Sequence, residues 1–280
     1  MIIWLASYPK SGNTWVRSFL STYYYSNNGT FNVDLLNNIK QYPSPYFFEK
    51  KIEKSDEISK YWSITQANIL KQKGYRILKT HNSLTSINSN PFTTSKYTIG
   101  VIYVLRDPRN VLSSLKNHYA LNYKEALDFM LSENKYIYDN QNLDNIDYSS
   151  FHFLGSWSNH YKSWTKTNMF RTMVIKYEDL ITKPSEIFRD LVIFVNTLSK
   201  NNEPINLQKF NSSIESTNFD NLQKIEENGL FIENTIHPET KKKIKFFNLG
   251  PKNSWKNNLP ENLKKDANIS FKKDLEELGY

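Results

Sequence analysis

The first fifteen residues contain the feature that most restricts how this chain can fold. A short apolar run at residues 2–6 predicts a buried strand, and Pro9 ends it because proline has no backbone N–H for the ladder. The segment 10–14 is small and polar, and apolar residues then recur at helical spacing from Trp15 to Tyr24. The pattern is therefore a strand, a short polar loop and the N-terminus of a helix.

A loop of this kind favours an anion such as a phosphate. It points several backbone N–H groups at one spot, at the positive end of the helix dipole. Lys10 adds a positive charge, and Gly12 removes the side chain that would block close approach. The lysine comes first and no glycine lies upstream of it, whereas the loop of nucleoside triphosphatases has lysine after its last glycine. Taken alone, the segment is also compatible with an ordinary surface loop.

Length and composition fit one α/β domain over residues 1–280. Of the 280 residues, 39% are hydrophobic and 15% aromatic, and no linker-like break divides the chain. The net charge of +8, from 36 basic and 28 acidic side chains, suits a partner with several negative charges, such as a nucleotide, a nucleic acid or an anionic membrane. The absence of cysteine excludes disulfides and thiolate metal sites. No leader precedes the first strand and no run of about 18 apolar residues occurs, so a cytoplasmic protein is expected.

Strands and helices alternate along the chain. Besides the first strand and helix, strands are predicted at 75–79, 98–105 and 173–177, and helices at 57–73, 108–119, 151–164 and 184–198. We expect Gly74 to cap the helix at 57–73, and residues 82–96 to form a loop. Such alternation predicts a doubly wound, mostly parallel sheet flanked by helices, of the P-loop type, in a single domain. Ligands bind at the carboxyl ends of the strands in such sheets, and Lys10, His81 and Arg106 each follow a predicted strand end.

Several short motifs resemble those of the sulfotransferases that use 3′-phosphoadenosine 5′-phosphosulfate (PAPS). In chain order they are YPKSGNTW at 8–15, KTH at 79–81, YVLRDPRNVLSS at 103–114, YEDL at 177–180, TNF at 217–219 and FFNLGPKNSWK at 246–256. The family usually has threonine at Asn13, and an arginine–lysine pair where this chain has Asn248 and Leu249. The resemblance spans Tyr8 to Trp255 and implies the P-loop-type fold.

The resemblance also implies a role for each motif. His81 would accept the acceptor's proton, Lys10 would stabilise charge on the leaving phosphate, and Lys79 would assist at the sulfuryl oxygens. In the family, the equivalents of Arg106 and Ser114 hold the 3′-phosphate. The residues implied to bind the donor nucleotide are Lys10, Ser11, Gly12, Asn13, Thr14, Trp15, Arg106, Ser114, Tyr177, Thr217, Phe219, Asn248, Leu249 and Gly250.

The implied reaction is transfer of a sulfuryl group from PAPS to an acceptor hydroxyl or amine by in-line displacement. PAPS would be the co-substrate, adenosine 3′,5′-bisphosphate (PAP) the product, and no metal is implied. We expect a small-molecule or glycan acceptor, bound by segments 24–60, 82–96 and 120–150, with no nucleic-acid partner and no membrane span. Two alternatives stay open: a P-loop kinase of small molecules, with Asp107 as a conceivable Mg²⁺ ligand, and a non-enzymatic nucleic-acid binder suggested by the positive charge.

Overall fold

Four parallel strands form the central sheet of the protein. The computed structural model describes residues 1–71, 73–138, 146–231, 235–237 and 240–280. With strands numbered in chain order, the central sheet has the order β2-β1-β5-β8 and consists of β1 (Ile2–Ser7), β2 (Arg76–Thr80), β5 (Thr98–Leu105) and β8 (Arg171–Lys176). Short antiparallel pairs lie outside it: β3 (Ser86–Ile87) with β4 (Asn90–Pro91), β6 (Tyr136–Ile137) with β7 (His152–Phe153), and β9 (Thr235–Ile236) with β10 (Lys243–Ile244).

Helices connect the strands and cover the sheet. Within the described residues they are α1 (Asn13–Tyr25), α2 (Ile58–Ile69), α3 (Pro108–His118), α4 (Tyr123–Leu131), α5 (Trp157–Thr165), α6 (Tyr177–Thr182), α7 (Pro184–Ser199), α8 (Leu207–Ser216), α9 (Phe219–Glu227), α10 (Trp255–Asn258), α11 (Glu261–Ser270) and α12 (Lys272–Leu278). Short 3₁₀ turns lie at Val33–Asn38, Pro45–Phe47, Tyr148–Ser150 and Gly250–Lys252. No helix in the described ranges is long and apolar enough to cross a membrane. The α/β architecture predicted from the sequence is confirmed.

Both faces of β1 are buried, and its successive side chains enter two different cores. Ile2, Trp4 and Ala6 face one core, in which α2–α5, α11 and α12 also pack. Ile3 and Leu5 face the other, with α1, α7 and α8. A strand covered on both faces needs apolar residues at every position, which explains the uninterrupted apolar runs in the sequence.

The strand order places a topological switch point between β1 and β5. The chain leads from β1 to β2 on one side and from β5 to β8 on the other, so the connections from these two neighbouring strands run in opposite directions. In open α/β sheets this arrangement leaves a crevice at the carboxyl ends of the strands. The loop after β1 and the residues after β5 meet at that crevice.

The predicted helix at 151–164 was wrong at its start. Helix α5 begins at Trp157, with Ser156 as its N-cap. The residues at 152–153, predicted to be helical, form strand β7, which pairs with β6. Gly155 has a φ of 64°, which turns the chain between strand and helix. The closely spaced aromatic residues at 151–164 therefore belong to a strand segment and a helix, and not to one helix.

Two other local predictions were wrong. Helix α2 ends at Ile69 and its C-cap is Leu70, so Gly74 does not cap it; Gln72 lies outside the described residues. The predicted loop at 82–96 contains the β3–β4 hairpin. At the start of α3, by contrast, Pro108 occupies the first turn as predicted.

Candidate active site

A cavity of about 310 Å³ lies at the carboxyl edge of the central sheet. It brings together residues that follow three strands: the loop after β1, Lys79 and His81 from the end of β2, and Arg106 after β5. The predicted site residues that line it are Lys10, Gly12, Asn13, Thr14, Trp15, Lys79, His81, Arg106, Ser114, Tyr177, Phe219 and Gly250.

The loop after β1 is shaped by Gly12 and covered by Tyr177. Gly12 is the N-cap of α1 and has a φ of 99°, in the left-handed region that favours glycine. A Cβ atom built at Gly12 would lie 2.4 Å from Cδ2 of Tyr177. The glycine is therefore required both by the backbone turn and by the ring above it.

Asn13 ties this loop back to the strand that precedes it. Its Nδ2 donates to the carbonyl oxygen of Leu5 at 3.2 Å and to Oγ of Ser7 at 3.1 Å. A carbonyl oxygen can only accept, so the contact with Leu5 fixes which side of the amide carries the NH₂ group. The side-chain donors of Asn13 are thus directed toward β1.

His81 is held in one tautomer. Its Nδ1 lies 2.8 Å from the carbonyl oxygen of Ser7 and must donate to it, which leaves Nε2 as the proton acceptor of the neutral ring. Burial, together with the charge of Lys79 and the nearby His152, lowers the pKa of His81 well below its usual value. The ring is consequently neutral near pH 7, the state that a general base needs.

A second histidine supports the backbone of His81. Nε2 of His160 donates to the carbonyl oxygen of His81 at 3.0 Å, and Nδ1 of His160 accepts from the hydroxyl of Tyr103 at 2.8 Å. His160 is fully buried, and burial lowers its pKa to about 4. It therefore acts as a neutral structural link between β5 and the segment after β2.

Arg106 lies at the other end of the cavity. Its guanidinium carbon is 4.1 Å from the centroid of the Tyr177 ring, and its Nη1 donates to the carbonyl oxygen of Lys10 at 3.2 Å. Its Nε is buried and has no hydrogen-bond partner among the described residues, and Ser114 of α3 also lines the cavity. A buried guanidinium with an unused donor is suited to bind an anion.

Aromatic side chains also line the cavity. Trp15 and Tyr177 meet edge to face with centroids 6.0 Å apart, and Phe219 is a further lining residue. Nζ of Lys10 lies 3.8 Å from the centroid of Phe246. These rings offer flat apolar surfaces on which a planar base can stack.

Four predicted nucleotide-binding residues do not line the cavity. Thr217 is fully buried, and its hydroxyl donates to the carbonyl oxygen of Ser213 within the helix. Ser11 is buried beneath the loop. Asn248 and Leu249 lie in the segment before Gly250, and the side chain of Leu249 is 40% exposed.

Some cavity-lining residues had no signal in the sequence. Gln41 reaches the cavity because residues 40–42 bond to the outer edge of β2 beside Lys79. Its Nε2 lies 3.2 Å from Nε2 of the buried His152. His118 lies one turn beyond Ser114 on α3, and that spacing could have identified it. Further lining residues are Pro9, Tyr119, Ile137, Leu222, Phe246 and Phe247.

Within the described residues, no three His, Asp or Glu side chains are grouped closely enough to hold a metal ion.

The chain is similar to known sulfotransferases in sequence pattern and in fold. A family model described as "Sulfotransferase domain" matches residues 2–279. The mouse sulfotransferase SULT7A1 complexed with PAP shares 17% identity at a TM-score of 0.58, over 98% of this chain and 84% of that one. Retinol dehydratase in complex with retinol and PAP shares 16% identity at a TM-score of 0.57, over 98% of this chain and 81% of that one. At these identities the two structures show likeness of fold. No curated protein sequence gave a significant match.

Proposed function

The chain belongs to the sulfotransferase family, and we propose that its cavity binds PAPS and transfers the sulfuryl group to a hydroxyl or amine of an acceptor. The observation that carries this proposal is the convergence on one cavity of the loop at Gly12, the neutral His81 and the buried Arg106. The same convergence suits a donor with an anion at each end. The product would be PAP.

The residues present fit such a donor. Backbone N–H groups at the start of α1, with Lys10 and Thr14, are suited to the 5′-phosphate. Arg106 and Ser114 would hold the 3′-phosphate, and the unpartnered Nε of Arg106 supports that assignment. Trp15 would contribute to an aromatic slot for the adenine.

When bound, the donor supplies a sulfuryl group whose bond to the 5′-phosphate oxygen breaks as the acceptor oxygen or nitrogen bonds to sulfur. Nε2 of His81 would take the acceptor's proton, since Nδ1 already carries one. Lys10 would stabilise the electron pair left on the phosphate oxygen, and Lys79 the charge on the sulfuryl oxygens. No step requires a side chain outside the cavity.

Sulfotransferases act on small-molecule acceptors, and the acceptor of this chain would enter beside His81. Gln41 and Ile137 line the cavity there and come from two of the three predicted acceptor segments. No lining residue comes from 82–96, and residues 139–145 of the third segment lie outside the described residues. That residues 1–280 form one sulfotransferase domain, and that it is cytoplasmic, stay predictions. The comparisons give no support to the kinase alternative.

Calorimetric titration of PAP and of adenosine 5′-monophosphate (AMP), each with and without Mg²⁺, tests the donor site. We expect PAP to bind about 10- to 100-fold more tightly than AMP without metal, since a charge-assisted hydrogen bond contributes about 1.5–3 kcal/mol. Arg106→Ala should remove this preference while leaving AMP affinity nearly unchanged. Equal affinities in the wild type, or binding that needs Mg²⁺, would refute the proposal.

A further inference from the structure

One hydrogen-bonded chain joins the loop after β1 to His81. It runs from Nδ2 of Asn13 to Oγ of Ser7 at 3.1 Å, and Ser7 then faces Nδ1 of His81 with both its oxygens. The carbonyl oxygen of Ser7 is 2.8 Å from Nδ1 and its Oγ is 3.3 Å away. Ser7 is therefore the shared partner of a loop residue and of the candidate base.

The directions of the two nitrogen donors in this chain are fixed. Leu5 and Ser7 offer carbonyl oxygens, which only accept, so Nδ2 of Asn13 and Nδ1 of His81 must both donate. Because Nδ1 holds its proton, the lone pair of His81 is on Nε2. A change at Asn13 thus alters the surroundings of the atom that decides the tautomer of His81.

The chain is also enclosed. Ser7 and Leu5 are fully buried and Asn13 is 4% exposed, so water does not readily replace a lost donor. Truncating Asn13 would leave Oγ of Ser7 without the donor that orients it. The freed hydroxyl could then rotate and donate to Nδ1, which would move the imidazole proton to Nε2 and occupy the position needed for proton acceptance.

We propose that Asn13 is a positioning residue that holds His81 in its productive tautomer through Ser7. The catalytic role that this inference gives to Asn13 rests on the proposed function. It assigns to Asn13 a role other than contact with the donor's phosphate, because both of its amide hydrogens are directed at β1. Hydrogen bonds thereby connect the loop that would bind the donor nucleotide to His81, which would accept the proton.

The test is the tautomer of His81 in the unliganded protein, measured by long-range ¹H–¹⁵N correlation on protein with ¹⁵N-labelled histidine. The wild type should show His81 with Nδ1 protonated, and a His81→Gln variant assigns the signal. Asn13→Ala should move the two ring-nitrogen shifts toward each other as the second tautomer becomes populated. Ser7→Ala should keep the wild-type His81 shifts, because it removes the hydroxyl that would donate to Nδ1 while the backbone carbonyl still accepts from Nδ1, and adding it to Asn13→Ala should restore those shifts.

Ser18→Ala is the matched control. Ser18 lies on the same helix as Asn13, is fully buried, and its hydroxyl has no hydrogen-bond partner in the part of the chain that the structure describes. The shifts of His81 should be unchanged in this variant. A change there as large as in Asn13→Ala would mean that any buried substitution in α1 disturbs His81, and would overturn the proposal.

Calorimetric titration with PAP separates the positioning role from phosphate contact. We expect PAP affinity of Asn13→Ala to stay within about threefold of the wild type while the His81 shifts change. A large loss of PAP affinity with unchanged His81 shifts would make Asn13 a phosphate ligand and overturn the inference. If Asn13→Ala does not fold, Asn13→Leu, which is similar in size and also lacks a donor, takes its place. Failure of the wild type to bind PAP would instead count against the proposed donor, and the histidine spectra do not depend on it.

Discussion

Replacing Gly12 with alanine tests how tightly the loop after β1 is built. The backbone there has a φ of 99°, and the new Cβ would lie 2.4 Å from Cδ2 and 2.9 Å from Cε2 of Tyr177. Gly74 provides a matched control, because its φ of 92° is nearly the same and no atom of the described residues lies within 4 Å of a Cβ built there. Both substitutions should cause the same backbone strain, and only Gly12→Ala should add a steric clash with Tyr177.

The expected destabilisation by each substitution follows from these contacts. A left-handed conformation costs an L-residue about 1–2 kcal/mol, partly offset by about 0.4–1 kcal/mol from the less flexible unfolded chain. Gly74→Ala should therefore destabilise the protein by about 0–1.6 kcal/mol. Gly12→Ala should cost about 1–3 kcal/mol more, because the ring of Tyr177 is buried between Trp15 and Arg106 and has little room to move.

Urea unfolding measures the two free energies, and calorimetry with PAP measures the site. Gly12→Ala should weaken PAP binding at least about tenfold, because displacing Tyr177 also displaces the Arg106 guanidinium above it. Gly74→Ala should leave PAP affinity unchanged. In a Tyr177→Ala background the extra cost of Gly12→Ala should disappear. If Gly12→Ala and Gly74→Ala destabilise equally, the contact with Tyr177 does not constrain the loop and the reasoning is refuted.

Two further predictions concern the histidines and the nucleotide site. Burial, with Lys79 and His160 nearby, lowers the pKa of His152 to about 3. As the pH falls below about 6.5, this histidine therefore takes up a proton in the unfolded state before it does so in the folded state. The free energy of unfolding then decreases by about 1.4 kcal/mol per pH unit because of this one group. Urea unfolding at several pH values should show a shallower decrease for His152→Asn, and an unchanged slope would contradict the assignment. Thr217→Val should leave PAP affinity within about twofold of the wild type and destabilise by about 1 kcal/mol, because its hydroxyl bonds to a helix carbonyl outside the cavity. Phe219→Ala should weaken PAP binding, and equal effects of the two variants in calorimetry would contradict the placement of Thr217.

The elements that sequence predicted well are those determined by local constraints. β5 was predicted with its observed bounds because a strand buried on both faces is apolar throughout. The start of α3 follows from Pro108 in the first turn and Asp107 as N-cap. The segment around β7 could not be predicted, because its partner β6 lies some fifteen residues earlier and carries no signal that specifies the pairing.

The candidate site divides in the same way. Residues that directly follow a strand, such as His81 and Arg106, could be located because strand ends of a parallel sheet meet at one edge. Gln41 could not, since it reaches the cavity only through the pairing of its segment with the edge of β2. For Thr217 the motif resemblance gave the wrong location. It implied a place in the nucleotide site, whereas the hydroxyl donates to the carbonyl oxygen of Ser213 within a helix.

The proposed 3′-phosphate end of the site would rely on fewer positive charges than the motif resemblance implied. Of the three predicted residues at 248–250, only Gly250 lines the cavity, and it presents a carbonyl oxygen to Nη2 of Arg106 at 3.4 Å. The lysine and arginine side chains that line the cavity, among the described residues, are Lys10, Lys79 and Arg106. Because the two lysines are assigned to the sulfuryl end, a 3′-phosphate would be held by Arg106 with Ser114. Loss of that single guanidinium should then remove most of the discrimination between PAP and AMP, whereas a site with a second cation would lose only part of it.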